Sequence, residues 1–528
     1  ETGRLLDSAL SLTRDDDATC KERGVEILAA MSASSSVKDE LAHGSGRVAR
    51  SAVEALCRDA GDLKDAKGSD PVAYGVAALL ANLTVTTHEL RMRHFREREM
   101  DITPEQYDEF AKITKQKAAD DADADNDTEA LAAARRRKIV TNDGVALVAR
   151  LALSNPSAQT AERLAETLAN LAKDVDLRGV LVQQAGFKAA VALAAAGPAA
   201  SSDNAASAAG TSTTNDSASS SALRSYTERG RASAAHAAAK ILVTTDPRRL
   251  TDAQSLAAVR PLLWLCKKFD APELQHFEAC LALTNLLSMG PDAKRRVATT
   301  GGIRTLEYLQ FSDHAMVQRA ATEALCNMIP DEAMLDHLKK PDKLKLWVAL
   351  AGEWSSVEED AQNDYDQQKD ARNAPAEKRK LASAAIGCLA MAAGADDDAL
   401  RELIAIQAAT ETGLAVLDEL FADRDDPGVV HRAAYFVARL ADDPRRETWP
   451  LFSGPGRKDR LRAALRRARD DPRFRDLEAV ATALDEAIEA IDRDVLPPTD
   501  GAETVGGPTV VSETEADAAT ASNDERGG

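Results

Sequence analysis

Aromatic residues are scarce: Phe, Trp and Tyr together make up 4% of the 528 residues. Sheets draw on aromatic and β-branched side chains, so this shortage points to many short, closely packed helices rich in Ala and Leu. Basic charge is also in deficit, with 66 Lys and Arg against 86 Asp and Glu for a net charge of −20. That balance excludes wholesale binding to nucleic-acid phosphates and disfavours anionic membranes. Cysteine occurs six times (Cys20, Cys57, Cys266, Cys280, Cys326, Cys388) and never as a CxxC pair. Thiols scattered through apolar stretches read as reduced core residues of a cytoplasmic protein. No apolar run is long enough to span a bilayer, and the first residues lack the charged-then-apolar pattern of a secretory signal. A start at Glu1 rather than Met is expected of a piece of a longer chain.

Catalytic chemistry is missing too. No P-loop, dinucleotide fingerprint, Ser/His/Asp order or redox CxxC can be read, so neither an enzyme nor a cofactor is expected. "DADADND" (Asp121, Asp123, Asp125) begins like a calcium loop, but the glycine position holds Asn126 and the closing Glu position holds Ala132; a solvated acidic loop is the reading. His276 and Cys280 stand four apart with no second pair, so no metal is expected. "RRRK" at 135–138 reads as a charged helix start rather than a localisation signal.

What the chain does contain is a recurring segment with an asparagine among leucines. "YGVAALLANLT" carries Asn82, "AERLAETLANLAK" Asn170, "EACLALTNLLSMG" Asn285 and "RAATEALCNMI" Asn327. Related segments fill the same slot with Lys240, Ala390 and Arg439. Asn285 follows Lys240 by 45 residues, Asn327 follows Asn285 by 42 and Arg439 follows Ala390 by 49. An all-helical period of this length is the mark of armadillo or HEAT repeats. Gly144 and Gly302, each about 25 residues before an Asn, fit a sharp helix–helix turn and favour the armadillo form. The expected fold is therefore all-α, a right-handed armadillo-repeat superhelical solenoid. Residues 197–222 are Ser/Ala/Asn-rich and, with the tail 495–528, are expected to be disordered. The divisions are 1–138, with the acidic loop, and 139–494 as the main repeat domain.

At 100° per residue, each Asn lies about 127° from the centre of its helix's apolar face, so it is not a core residue. Two readings stay open: the amide ties down a neighbouring repeat, or it faces a concave groove lined by the innermost helices. A primary amide donates and accepts at once, as an extended peptide backbone requires. The groove reading, taken forward, assigns Glu166, Asn170, His236, Lys240, Leu281, Asn285, Arg319, Glu323 and Asn327 to a binding surface. The position four before the slot holds Ala78, Glu166, His236, Leu281, Glu323 and Tyr435, never Trp. Nuclear-import adaptors built from armadillo repeats stack basic signals on Trp there, so this groove is not built for them.

"AYGVAALLANLT", "DLRGVLVQQAGFKAAVALA", "AAHAAAKIL", "VRPLLWL", "FEACLALTNLLS", "VQRAATEALCNM" and "DKLKLWVALAGE" resemble, in order from about Gly24 to Leu440, consecutive pieces of the UCS family of animal and fungal myosin-directed chaperones. The resemblance implies the end of a central armadillo region followed by the UCS domain, with the myosin motor domain as client in the groove. It also implies Hsp90 as a partner, indirectly or through an N-terminal TPR domain, for which no WxxLGxxY-like signature is readable here. The insertion at 197–222 departs from the family pattern. The competing reading is a generic armadillo scaffold that binds a defined protein partner without chaperone activity.

Overall fold

The computed structural model describes residues 2–44, 52–58, 70–97, 126–195, 226–329, 331–352, 374–422 and 426–493. Among these there is helix and no strand. The tract at 197–222, the tail 495–528 and most of the acidic loop lie outside the described residues.

Triplets of helices repeat along the chain. Glu129–Thr141, Gly144–Leu153 and Ala158–Leu171 form one; Pro291–Thr299, Gly302–Leu309 and Ala315–Asn327 form another. In the second, the first two helices are short and the third is longest. The third helices stack in an unbroken row, numbered here α1 (Ala18–Met31), α2 (Asp70–Leu83), α3 (Ala158–Leu171), α4 (Glu228–Thr244), α5 (Glu273–Leu287), α6 (Ala315–Asn327), α7 (Ala374–Ala393), α8 (Pro427–Ala441) and α9 (Glu478–Asp492). Each packs on the next from α1 to α9. The second helices stack behind them: Gly144–Leu153 on Gly186–Ala195, then Asp252–Lys267, then Gly302–Leu309. The fold is an armadillo-like helical solenoid, and its core is the Ala- and Leu-rich seam between the two rows. The boundary expected between 138 and 139 falls inside the helix Glu129–Thr141.

Local chemistry starts these helices where the sequence places short polar residues. Ser157 and Thr227 accept from backbone N–H groups of the first turns of α3 and α4, and Thr251 with Gln254 forms a capping box, each satisfying donors that a helix start leaves unpaired. The glycines at the corners serve close approach. The left-handed residues are the ones before them, Asp143 (φ 61) and Gly301 (φ 75). A Cβ on Gly144 would meet the Ile139 carbonyl oxygen at 2.7 Å, and one on Gly302 the Val297 carbonyl oxygen at 2.8 Å, so only glycine lets the second helix press against the end of the first.

The "RRRK" segment corrects the sequence reading. Arg135 and Arg136 are 0% and 1% exposed in the interior of Glu129–Thr141. Arg135 donates to the carbonyls of Leu83 and Val85 and to Asp127 and Asp39; Arg136 donates to the Thr84 carbonyl, Asp174 and Glu129. The carbonyls at the end of α2 have no partners within their own helix, and the arginines supply them. Lys38, also fully buried, joins the cluster through Asp127 and the Val85 carbonyl at 3.0 Å each. Asp127, read as part of a solvated loop, is instead the buried carboxylate that neutralises this cluster.

Candidate protein-binding groove

The inner row presents the slot residues at matching heights. Asn285 on α5 donates to the carbonyls of Leu242 (2.9 Å) and Val243 (3.2 Å), at the end of α4. Asn327 on α6 donates to the Thr284 carbonyl on α5 at 3.0 Å. Asn82 on α2 donates to Ser32 Oγ at 2.9 Å, just past α1. Asn170 on α3 donates to Thr84 Oγ1 at 3.1 Å, and the Thr84 hydroxyl donates in turn to the Ala81 carbonyl of α2. In every case the amide bonds near the C-terminus of the preceding inner helix, where the last carbonyls lack intrahelical partners, although the Thr284 carbonyl also accepts from the Ser288 N–H. The Asn285 amide, and one N–H each of Asn170 and Asn327, are therefore used within the solenoid rather than held out for an extended peptide, while Asn327 also lines the concavity described below. The angular argument placed these residues off the core correctly. A wheel cannot show that the neighbouring helix ends within the amide's reach.

The residues one turn earlier carry charge, and most of it is paired. Glu166 lies between Arg163 (2.9 Å), Arg93 (3.2 Å) and Arg229 (3.4 Å). His236 and Lys240 on α4 both meet Glu278 on α5. Burial pushes the Glu278 carboxyl up, but those two hydrogen bonds and charges hold it below the usual carboxylate range. Arg319 on α6 pairs with Glu377 on α7 (3.2 Å) and Glu323 (3.7 Å); burial holds Glu323 above its ordinary value despite Arg319. Leu281, assigned to the groove, is half-buried and packs against the core. The structure thus brings Glu166, His236, Lys240 and Arg319 to the inner face largely as inter-helix ties, while Glu323 pairs within α6. Direct ties of this kind set spacing and register between repeats.

The groove opens further along, between α6 and α8. A concavity of about 550 Å³ is lined by Glu323 and Cys326 of α6, by Lys380, Gly387 and Met391 of α7, and by His431, Arg432 and Tyr435 of α8, among others. Met391 is 41% exposed and Tyr435 38%, and the Arg439 guanidinium stands over the Tyr435 ring at 4.9 Å. An apolar surface with a few convergent polar groups is what a binding concavity requires. Cys326, Lys380, Met391, His431 and Arg432 were missed in the sequence. The signal was present in "SAAIGCLAMAA": Ala384, Gly387 and Ala390 put small side chains on the inner face of α7 where other repeats carry a larger slot residue. Without that bulk the floor is open.

The half-site considered for a metal has other uses. His276 Nε2 meets the Lys268 carbonyl at 2.9 Å, and Cys280 faces Cys266 in the core at 4.0 Å. Among the described residues no group of three or more His, Cys, Asp or Glu could hold a metal ion, and no helix is long and apolar enough to cross a membrane.

No family model matches the chain. Among curated proteins it is similar to protein unc-45 homolog B of Danio rerio, 26% identical over 375 residues, covering 70% of this chain and 33% of the relative. The same protein of Xenopus laevis is 25% identical over 431 residues, 80% of this chain and 38% of the relative. The chain thus spans about a third of the length of the curated relatives it matches. Among solved structures, the myosin chaperone UNC-45 from C. elegans in complex with a Hsp90 peptide aligns with a TM-score of 0.62 at 19% identity, over 92% of this chain and 43% of that one. She4p aligns with a TM-score of 0.56 at 17% identity, over 92% and 57%. These likenesses in sequence and in fold support the resemblance to the UCS family.

Proposed function

We propose that this solenoid is a myosin-directed chaperone or co-chaperone of the cytoplasm that holds the motor domain in its concave groove without hydrolysing ATP. The observation that carries the reading is the sequence kinship with unc-45 homolog B over 70% of the chain. Relatives of the same solenoid fold include a protein described as a myosin chaperone. The concavity between α6 and α8 supplies the place. Its exposed Met391 and Tyr435 offer apolar contact, while the ion-paired stretch from α3 to α5 is already satisfied and offers less. Binding there depends on mass action with client segments whose apolar groups are exposed. A structure of the C. elegans protein with a Hsp90 peptide adds Hsp90 as a proposed partner, reached indirectly or through a segment outside this sequence.

Heated myosin motor domain tests the reading. Stoichiometric amounts of the chain should suppress its light scattering, and adding ATP should change nothing. An armadillo adaptor for a folded partner would leave the scattering unaltered, and that result would reject the chaperone reading.

A further inference from the structure

The concavity between α6 and α8 reverses the charge of the chain locally. Against a net charge of −20, its lining carries Lys380 and Arg432 beside one carboxylate, Glu323, among the described residues. Glu323 is already met by Arg319 at 3.7 Å. Lys380 reaches Glu377 at 3.1 Å, and Arg439, over the Tyr435 ring, reaches Asp442 at 3.4 Å. Arg432 differs. It is exposed, it donates from one terminal nitrogen to Ser383 Oγ on α7, and it has no carboxylate in ion-pairing reach among the described residues. The serine fixes the guanidinium, whose remaining N–H groups form the planar fork that a carboxylate matches.

Position along the floor adds a second requirement. A Cβ on Gly387 of α7 would meet Arg432 Cδ at 3.4 Å, and one on Gly394 would meet Arg439 Cδ at 3.7 Å. The two helices therefore run side by side in the same direction, seven residues of one matching seven of the other. Met391 lies four residues beyond the level of Arg432, about 6 Å at the rise of a helix, and Tyr435 lies three residues beyond it on α8. Both are exposed, and Cys326 Sγ of α6 closes the far side at 3.8 Å from Met391 Sδ. A site for an anion thus adjoins an apolar one at a fixed step. In an extended chain, side chains two residues apart share a face about 7 Å apart. The spacings agree.

We propose that the concavity selects an extended client segment whose acidic side chain seats on Arg432, two residues from a large apolar side chain seated against Met391 and Tyr435. The inference rests on the groove reading above and names the class of segment that the groove takes. A basic residue at the acidic position meets Arg432 and Lys380 with like charge, and a wholly apolar segment covers the guanidinium without pairing it. The negative charge of the whole chain does not reverse this preference. At physiological salt, charges are screened beyond about 8 Å, so the cations of the lining decide the sign.

Three short fluorescent peptides of equal length test the proposal on the full chain. Each carries Glu-Ser-Leu, Gln-Ser-Leu or Lys-Ser-Leu in the same Ser/Gly background. At low salt the Glu peptide should bind roughly fivefold tighter than the Gln peptide, the upper range for a solvent-accessible ion pair, and the Lys peptide should bind most weakly. Raising salt to about 0.5 M should erase that order by screening. Arg432→Gln should bind the Glu and Gln peptides alike, whereas Arg260→Gln, exposed on the second-row helix Asp252–Lys267, should keep the preference. A benzophenone side chain in place of the Leu of the Glu peptide should crosslink the wild-type chain within α6 to α8, which locates the site even where a variant fails to fold. No binding of the Glu peptide, equal binding of all three, a preference that survives Arg432→Gln, or crosslinks elsewhere would each overturn the proposal. Motor-domain light scattering is read separately. Protection without the Glu preference removes this inference alone, and the preference without protection removes the chaperone reading alone.

Discussion

Asn285 and Leu242 stand 43 residues apart in sequence, and the amide of the first donates to the carbonyl of the second at 2.9 Å. The bond crosses from α5 to the end of α4, and Val243 receives a second one at 3.2 Å. Two carbonyls that α4 cannot satisfy itself are thereby capped by the next repeat. Asn285→Ala should lower stability by about 1 kcal/mol: roughly 1–2 kcal/mol for the uncapped carbonyls, offset by a few tenths from the better helix propensity of Ala. Affinity for a client should stay unchanged once the protein is folded. A thermal melt beside a binding titration checks both; a normal melt with lost affinity would restore the groove reading of this amide.

The same residue shows how far the sequence could be read. Period, helix class and, buried Asn82 apart, the off-core position of Asn170, Asn285 and Asn327 were legible, because they follow from spacing within one helix. What the amides bond to was not, because that depends on where the preceding helix stops. The interior placement of Arg135 and Arg136 escaped for the same reason: a run of basic residues reads as surface until the carbonyls of Leu83, Thr84 and Val85 are set against it. The open floor at α7 was legible in principle. It lay in what "SAAIGCLAMAA" lacks.

Asp127 is the acceptor on which two buried cations depend, Arg135 at 2.8 Å and Lys38 at 3.0 Å. Asp127→Asn should cost about 3–5 kcal/mol, the usual penalty for leaving buried charge unpaired. Lys38→Met should cost less, since Arg135 and Thr87 still satisfy the carboxylate. Chemical denaturation of the two variants in parallel ranks them, and equal losses would refute the assignment of Asp127 as the hub.

Lys38 also gives a signature in alkali. Burial lowers its ammonium from 10.5 to about 8 despite Asp127. Between those values the unfolded chain holds a proton that the folded chain has released, so this group makes stability rise with pH across the window. Below about 8 both states are protonated and the contribution is flat. Melting of the wild type minus melting of Lys38→Met, followed from pH 7 to 10, should therefore climb above pH 8. A falling difference would mean that the ammonium is favoured by the fold.

The helix Gly186–Ala195 packs directly against α4, which begins at Glu228. The tract at 197–222 therefore joins two helices that pack on each other. Deleting it shortens the connection between Ala195 and Glu228 by a factor of about five, which changes closure entropy by roughly 1.5 kcal/mol in the stabilising direction. Deleting 197–222 should leave the melting temperature unchanged or slightly raised. A loss of several degrees would show that the segment packs on the solenoid.

Tyr435 and Met391 are the last case, because they separate the concavity from the tied stretch of groove. Both are partly exposed on the inner face, on α8 and α7, and the Tyr435 ring is held by Arg439 at 4.9 Å. Neither lies in the seam between the helix rows, so Tyr435→Ala and Met391→Glu should fold with melts close to wild type. If apolar client segments settle there, each should weaken capture of the myosin motor domain about tenfold, equivalent to ~1.4 kcal/mol. Met391→Glu should do more than Tyr435→Ala, since it sets a charge on the surface the client must desolvate. Asn285→Ala in the same titration serves as the contrast, with stability reduced and affinity kept. Unaltered affinity in both groove variants would move the client site off the floor between α6 and α8, whatever the chain does to myosin.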